Sequence, residues 1–166
     1  MATFAAGHAV RVQRGGEFTL ETARAAADEA GEDALARWVG AFLASRGSNN
    51  ATLAAALAQD RHWWMGPVQV PLSELVRLAG PEDEALCAVE PDEWQGDVDA
   101  MQDSLDGGWQ PPPLLAEYQD GRLLLQDGNH RYEALVRAGR THAWTLIFFS
   151  DPHERDEFRS SSARRR

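Results

Sequence analysis

Five consecutive residues, Asp127–Arg131 (Asp-Gly-Asn-His-Arg), place polar and charged side chains between an apolar run and a helix-like segment. Glycine lets an anion approach the backbone closely, and arginine can grip a phosphate through two parallel hydrogen bonds. The first turn of a helix adds unpaired N–H groups and the positive end of the helix dipole. The pattern therefore predicts an anion site, and phosphate is the anion that such a turn favours.

Each residue of this motif has an expected role. Gly128, Asn129, His130 and Arg131 are the predicted phosphate-binding residues. Asp127 could hold a magnesium ion or accept a proton from an attacking hydroxyl. The structural alternative is that the aspartate and asparagine only cap the helix, the glycine shapes the turn, and the histidine and arginine are solvated. The leucines before the motif and the His-Arg pair at the helix mouth favour the anion site.

The elements around the motif predict an α/β domain over residues 61–150. LLLQ is a strand, the helix 131–138 ends at Gly139, and AWTLIFF is the closing strand. Upstream, PVQVPLSEL gives a strand and then a turn or helix, and PPPLLAEY gives a strand that ends at an Asp-Gly turn. The helix in EWQGDVDAMQDSLDGGW carries four apolar residues on one side: Trp94, Val98, Met101 and Leu105.

Residues 1–60 are predicted to form a helical annex. Its clearest helix is GEDALARWVGAFLASRG, in which apolar residues recur with helical spacing: Leu35, Trp38, Val39, Phe42 and Leu43. ETARAAADEAG predicts a shorter helix, and Asn50 can cap a third in ATLAAALAQD. Residues 9–20 could form a hairpin around Gly15-Gly16. Residues 151–166 form a polar tail, whose last seven residues are expected to be disordered.

Composition excludes several classes of protein. The 166 residues carry a net charge of -10, and all 16 basic residues are arginine. Without lysine there is no Walker A lysine and no Schiff base. The acidic balance disfavours nucleic-acid binding. Cys87 is the only cysteine, no stretch approaches the ~20 apolar residues of a membrane span, and no basic secretory leader begins the chain. We therefore expect a cytoplasmic protein that does not bind membranes.

Residues 66–149 resemble the ParB/sulfiredoxin superfamily in the motif and in the order of elements. The Gly-x-x-Arg-aromatic-x-Ala pattern is met by Gly128, Arg131, Tyr132 and Ala134. This resemblance implies a compact α/β fold with a mixed sheet, whose motif loop binds the phosphates of ATP, ADP or another nucleotide together with Mg²⁺.

Two branches of that superfamily are disfavoured by particular residues. Sulfiredoxins carry a reactive cysteine just before the His-Arg pair, where this chain has Asn129, so no thiolate is available. Partition-type ParB proteins carry glutamate after the glycine and a second Glu-Asn motif, and neither is present here. Only 17 residues follow Phe149. We therefore expect neither a sulfinic-acid reductase nor a DNA-partition factor or nuclease.

The Asp-Gly-His-His-Arg form, seen in free serine kinases, is more similar and departs only at Asn129. It implies phosphoryl transfer from a nucleotide to a small hydroxyl substrate, assisted by Asp127 and an upstream glutamate. Glu82 is the candidate for that glutamate, with Glu84 and Glu74 as alternatives. Because asparagine does not titrate, a mechanism that needs two histidines is in doubt.

The sequence leaves two main hypotheses. The first is an ATP- or ADP-dependent phosphotransferase or nucleotide hydrolase that acts on a small molecule. The second is a non-catalytic nucleotide-sensing or protein-interaction module. Trp63 and Trp64 are expected to pack between the annex and the α/β domain, or else to form a stacking platform or an interface.

Overall fold

A computed structural model describes residues 17–29, 31–82 and 85–164, and of Glu32 only the backbone is described. The hairpin predicted around Gly15-Gly16 lies outside these residues. In the described part, no helix combines the length and the apolar character that a membrane crossing requires.

The fold is α/β with a mixed sheet, as the sequence predicts. Its helices are α1 (Leu20–Asp28), α2 (Glu32–Ala44), α3 (Ala51–Leu57), α4 (Pro91–Asp106), α5 (Asn129–Arg137) and α6 (Pro152–Arg164). Its strands are β1 (Trp63–Pro71), β2 (Leu75–Arg77), β3 (Ala79–Gly80), β4 (Cys87–Ala88), β5 (Leu114–Gln119), β6 (Arg122–Asp127) and β7 (His142–Phe149). One 3₁₀ turn, Leu72–Glu74, links β1 to β2.

Five strands form the main sheet, in the order β1-β7-β5-β6-β2. Strands β1 and β7 pair antiparallel, as do β5 and β6, whereas β5–β7 and β2–β6 are parallel. Asp127, the last residue of β6, lies opposite Leu115 of β5. The motif therefore leaves the sheet beside a central strand. Strands β3 and β4 form a separate short parallel pair.

The two faces of the sheet carry two apolar cores. Leu114 belongs to the core that includes Trp94 and Val98 of α4, and Leu115 belongs to the core that includes Leu35 and Phe42 of α2. Neighbouring residues of a strand point to opposite faces, so β5 contributes to both cores. Helix α4 and the motif helix α5 thus cover one face, and the annex helices cover the other.

Local sequence signals account for the ends and buried faces of several helices. The side chain of Asn50 accepts a hydrogen bond from the backbone N–H of Leu53, which confirms the cap predicted for α3. Helix α4 begins with Pro91 at its first turn and buries the predicted residues Trp94, Val98 and Leu105.

The disorder expected at the end of the chain is wrong for residues 160–164, which lie in α6. The polar composition of this segment gives no sign that one aromatic residue, Phe158, packs it against the sheet. The Phe158 ring packs against Tyr118 and Phe149, with ring centroids 5.3 and 5.9 Å apart. The Asp151 side chain also accepts a hydrogen bond from the backbone N–H of His153 at the start of the helix.

Candidate anion site at the start of helix α5

Helix α5 begins at a glycine whose conformation other residues rarely adopt. Gly128 has φ of 98° in the left-handed region, and no side chain caps the helix. A Cβ atom at this position would lie 2.6 Å from Cδ2 of Leu114 and 3.0 Å from Nη2 of Arg131. The turn therefore requires glycine for its backbone conformation and for space, and it leaves the first amides of α5 without a side-chain acceptor.

Arg131 is a buried member of an ion pair rather than an exposed phosphate ligand. Its Nη2 donates to Oδ2 of Asp127 at 2.7 Å, and its Nη1 donates to the carbonyl oxygens of Pro112 and Pro113 at 2.8 and 3.1 Å. Burial lowers the pKa of the guanidinium, and the negative charge of Asp127 opposes that shift. The arginine thereby joins α5 to the segment that leads into β5.

Asp127 accepts three hydrogen bonds in a buried position. While Oδ2 faces Arg131, Oδ1 accepts from Oγ of Ser48 at 2.9 Å and from Nδ2 of Asn50 at 3.2 Å. Both additional donors come from the turn between α2 and α3 of the annex. Sequence reasoning missed Ser48 altogether and assigned Asn50 only a capping role, because these contacts join residues 77 and 79 positions apart.

The surroundings of Asp127 do not fit the magnesium ion that the sequence suggests. Both carboxylate oxygens face N–H or O–H donors, which a cation would have to displace. Across residues 17–29, 31–82 and 85–164, no three His, Cys, Asp or Glu side chains are grouped so that they could hold a metal ion.

Asn129 has a structural function in this arrangement. Its Oδ1 accepts hydrogen bonds from the backbone N–H groups of Leu78 and Ala79 at 3.0 and 3.1 Å. The side chain thus fastens the first residue of α5 to the end of β2 and the start of β3. A carboxamide oxygen can accept both bonds at once, which gives a physical reason for asparagine at this position.

His130 lies against α4, with its Nε2 buried. Its ring packs on Trp94 in a tilted arrangement with centroids 4.4 Å apart, and its Nε2 lies 3.8 Å from a carboxylate oxygen of Asp97 without a hydrogen-bond partner. Burial lowers the pKa of His130, and Asp97, Glu93 and Asp127 oppose the shift. The imidazole is therefore neutral near pH 7.

The structure does not bring Glu82 into contact with Asp127. Glu82 is exposed and forms an ion pair with Arg77, which also binds Glu133 of α5 at 3.0 Å. A backbone hydrogen bond is the first cause that lowers the pKa of Glu82, and Arg77 adds to it. Glu84 lies outside the described residues.

The third candidate glutamate, Glu74, is an exposed residue of the 3₁₀ turn. It lines a cavity of about 230 Å³ together with residues of the β5–β6 hairpin and of α6. This cavity has no lining residue in common with the motif.

Trp63 and Trp64 belong to different cores and do not form a joint stacking platform. Trp64 is buried in the core between the annex and the sheet, where its ring lies 5.5 Å from that of Phe148. Trp63 packs against the opposite core, with the Arg61 guanidinium 5.3 Å from its ring centroid. Trp64 also lines a cavity of about 330 Å³ between the annex, β1 and α6.

Two solved structures are similar to part of this chain. One is a sulfiredoxin from Arabidopsis thaliana, with 24% identity over 48% of this chain and 81% of that chain, at a TM-score of 0.38. The other is a Pnob8-like ParB-N domain, with 20% identity over 58% of this chain and 34% of that chain, at a TM-score of 0.35. No protein-family model and no curated protein matches the chain. The likeness concerns part of the fold and carries no information on what this chain binds.

Proposed function

We propose that this protein binds the phosphate groups of a nucleotide at the start of α5, as a non-catalytic sensing module. The observation that carries the proposal is the left-handed Gly128, after which α5 begins with no side-chain cap. Unpaired amides and the helix dipole at such a start attract an anion.

The ring of His130 is about 30% exposed beside this helix start, but its Nε2 is buried without a hydrogen-bond partner. Arg131 is committed to Asp127 and to two backbone carbonyls, so its part in the site is to hold the turn in place. Binding therefore depends mainly on the backbone amides, which suit ATP, ADP or another phosphate ester alike.

Three observations favour binding without turnover. Asp127 already accepts three hydrogen bonds from protein groups, so neither carboxylate oxygen is open to a substrate hydroxyl in this arrangement. Glu82 pairs with Arg77 instead of joining the motif. The donors around Asp127 also do not suit magnesium, which phosphoryl transfer ordinarily uses.

A thermal-shift panel tests the proposal, with ATP, ADP, CTP, GTP and inorganic phosphate, each with and without Mg²⁺. A nucleotide at about 100 times its Kd should raise Tm by roughly 5–10 °C for a chain of this size. If no nucleotide raises Tm, the proposal is wrong.

One isosteric variant separates phosphate binding from folding. Asn129→Asp keeps the oxygen that accepts from Leu78 and Ala79 but places a negative charge on the first residue of α5. That charge suits the helix dipole, so Tm without ligand should be retained, whereas the nucleotide shift should disappear. Gln119→Glu, at the exposed far end of β5, makes the same charge change as a control. If nucleotide raises Tm equally in the two variants, phosphate does not bind at the start of α5.

Phosphoryl transfer to a hydroxyl is the second candidate, and one contact favours it. A serine hydroxyl, that of Ser48, donates to Asp127 at 2.9 Å, which is the geometry of a nucleophile beside its general base. A small hydroxyl substrate could take that place only if the annex turn moved away. ADP formation from ATP with small alcohols and hydroxy amino acids tests this candidate. Turnover that Asp127→Asn abolishes would overturn the non-catalytic assignment.

A further inference from the structure

The annex contacts both members of the buried ion pair. Ser48 and Asn50 donate to Oδ1 of Asp127, and the ring of Phe42 lies 5.4 Å from the guanidinium carbon of Arg131. We call the Ser48 and Asn50 side chains the latch. These contacts connect the part of the chain before residue 61 directly to the proposed phosphate site.

Hydrogen bonds within the annex fix the position of the latch. The backbone N–H of Asn50 donates to the carbonyl of Leu43 at 2.7 Å, and that of Asn49 donates to Ser45 at 2.7 Å. The Asn50 side chain also accepts from Leu53 as the cap of α3. The latch is therefore held in place by the end of α2 and the start of α3.

Helix α3 itself has little apolar anchoring. None of its residues is fully buried, and its apolar contribution comes from partly buried residues such as Leu53 and Leu57. The polar contacts to Asp127 therefore add to a small set of apolar contacts that attach the turn and α3 to the rest of the protein. Segments with few buried contacts open locally most readily.

The latch also controls the charge beside the proposed site. The Asp127 carboxylate immediately precedes the glycine at the helix start, where a phosphate would lie. Donors on both of its oxygens offset its negative charge. Without the latch, Oδ1 would be left unpaired and would repel a neighbouring phosphate.

We propose that Ser48 and Asn50 close the turn between α2 and α3, together with α3, over the motif and couple this closure to phosphate binding. A bound phosphate stabilises the closed turn, and the latch raises phosphate affinity by the same factor. The coupling rests on the proposed function, whereas the closure does not.

Amide hydrogen exchange of the ligand-free full chain tests the closure. Asn50→Asp keeps a side-chain cap for Leu53 but sets a second carboxylate against Asp127. Residues 45–57 should then exchange at least about tenfold faster. Ser48→Ala should act in the same direction and Ser48→Thr should restore protection. Ser45→Ala is the matched control, because its hydroxyl bonds only to the carbonyl of Phe42 in the same turn. Exchange unchanged in Asn50→Asp would overturn the latch.

ADP titration tests the coupling. In the unaltered protein ADP should slow exchange over residues 45–57, and in Asn50→Asp the Kd for ADP should rise about tenfold. Ser45→Ala should bind ADP normally. Equal affinity in Asn50→Asp would refute the coupling. Failure of the unaltered protein to bind any nucleotide would refute the proposed function, while ligand-free exchange would still decide the closure.

Discussion

Asp127 and Arg131 form a buried ion pair across the left-handed turn at Gly128, with 2.7 Å between Oδ2 and Nη2. The two residues stand four positions apart, and each has further partners in a distant segment of the chain. Arg131 reaches the carbonyls of Pro112 and Pro113, and Asp127 reaches the annex. The pair thus joins three parts of the fold at the start of α5.

Removal of the arginine should cost a large part of the stability. Arg131→Met leaves the carboxylate of Asp127 buried without its cationic partner, so the free energy of unfolding should fall by about 3–5 kcal/mol. Urea unfolding measures the change. The double variant with Asp127→Asn should lose less than the sum of the two single losses. A loss below about 1 kcal/mol for Arg131→Met would instead indicate a solvated arginine.

Two glycines with positive φ allow the cost of backbone strain to be measured apart from the cost of steric contact. Gly128 has φ of 98° and Gly139 has φ of 73°, but only at Gly128 would a Cβ meet other atoms. Gly139→Ala should cost about 1–2 kcal/mol from conformation alone. Gly128→Ala should cost more, because Leu114 and Arg131 must also shift. Denaturant unfolding of both variants tests the ordering, and equal losses would mean that the space around Gly128 is not limiting.

Stability should fall on acidification, partly through His130. Burial lowers its pKa below the ordinary 6.5, so the folded state takes up a proton less readily than the unfolded state. The resulting stability is present above pH 6.5 and is lost as the pH falls through the lowered pKa. His130→Asn should flatten the decline of unfolding free energy between about pH 7 and pH 5. A profile with the same slope in the variant would contradict the burial of this imidazole.

Asn129 should prove more important for folding than for direct ligand contact. Asn129→Ala leaves the N–H groups of Leu78 and Ala79 without their acceptor, at a cost of about 1–3 kcal/mol. Amide exchange at these two positions should accelerate, and urea unfolding should register the loss. Asn129→Asp retains the acceptor and should preserve both properties. If alanine and aspartate behave alike, the two hydrogen bonds do not stabilise the fold.

The attachment of helix α6 to the sheet should depend mainly on the ring of Phe158. Phe158 contacts Tyr118 and Phe149, and α6 contains no fully buried residue. Phe158→Ala should lower the unfolding free energy by about 1–3 kcal/mol and reduce the helical signal in far-UV circular dichroism. Glu157→Ala, on an exposed position of the same helix, should change neither quantity. A full helical signal in Phe158→Ala would show that α6 is held by other contacts.

Periodicity and turn chemistry predict much of the fold. The apolar spacing of α2 and α4, the Asp120-Gly121 turn and the leucines of β6 each correspond to an observed element. Such signals are local, because they depend on neighbouring residues within one helix or hairpin.

The partners within the candidate site were not predictable in the same way. Nothing near Arg131 in the sequence indicates that its hydrogen bonds go to Pro112 and Pro113. Nothing near Asp127 points to Ser48. In both cases tertiary contacts satisfy buried polar groups, and one sequence pattern is compatible with an exposed or a buried arginine. Similarly, Phe158 docks α6 although the surrounding residues are polar.

The long separation between Ser48 and Asp127 has a kinetic consequence. Their hydrogen bond spans 79 positions. We expect it to form only after the strands between them have paired. Contacts between residues so far apart in the sequence require a large loss of chain entropy before they stabilise the fold. We therefore expect the hairpin of β5 and β6 to form early and the motif to be completed among the last steps of folding. The proposed anion site would be complete only when the turn between α2 and α3 has reached the end of β6.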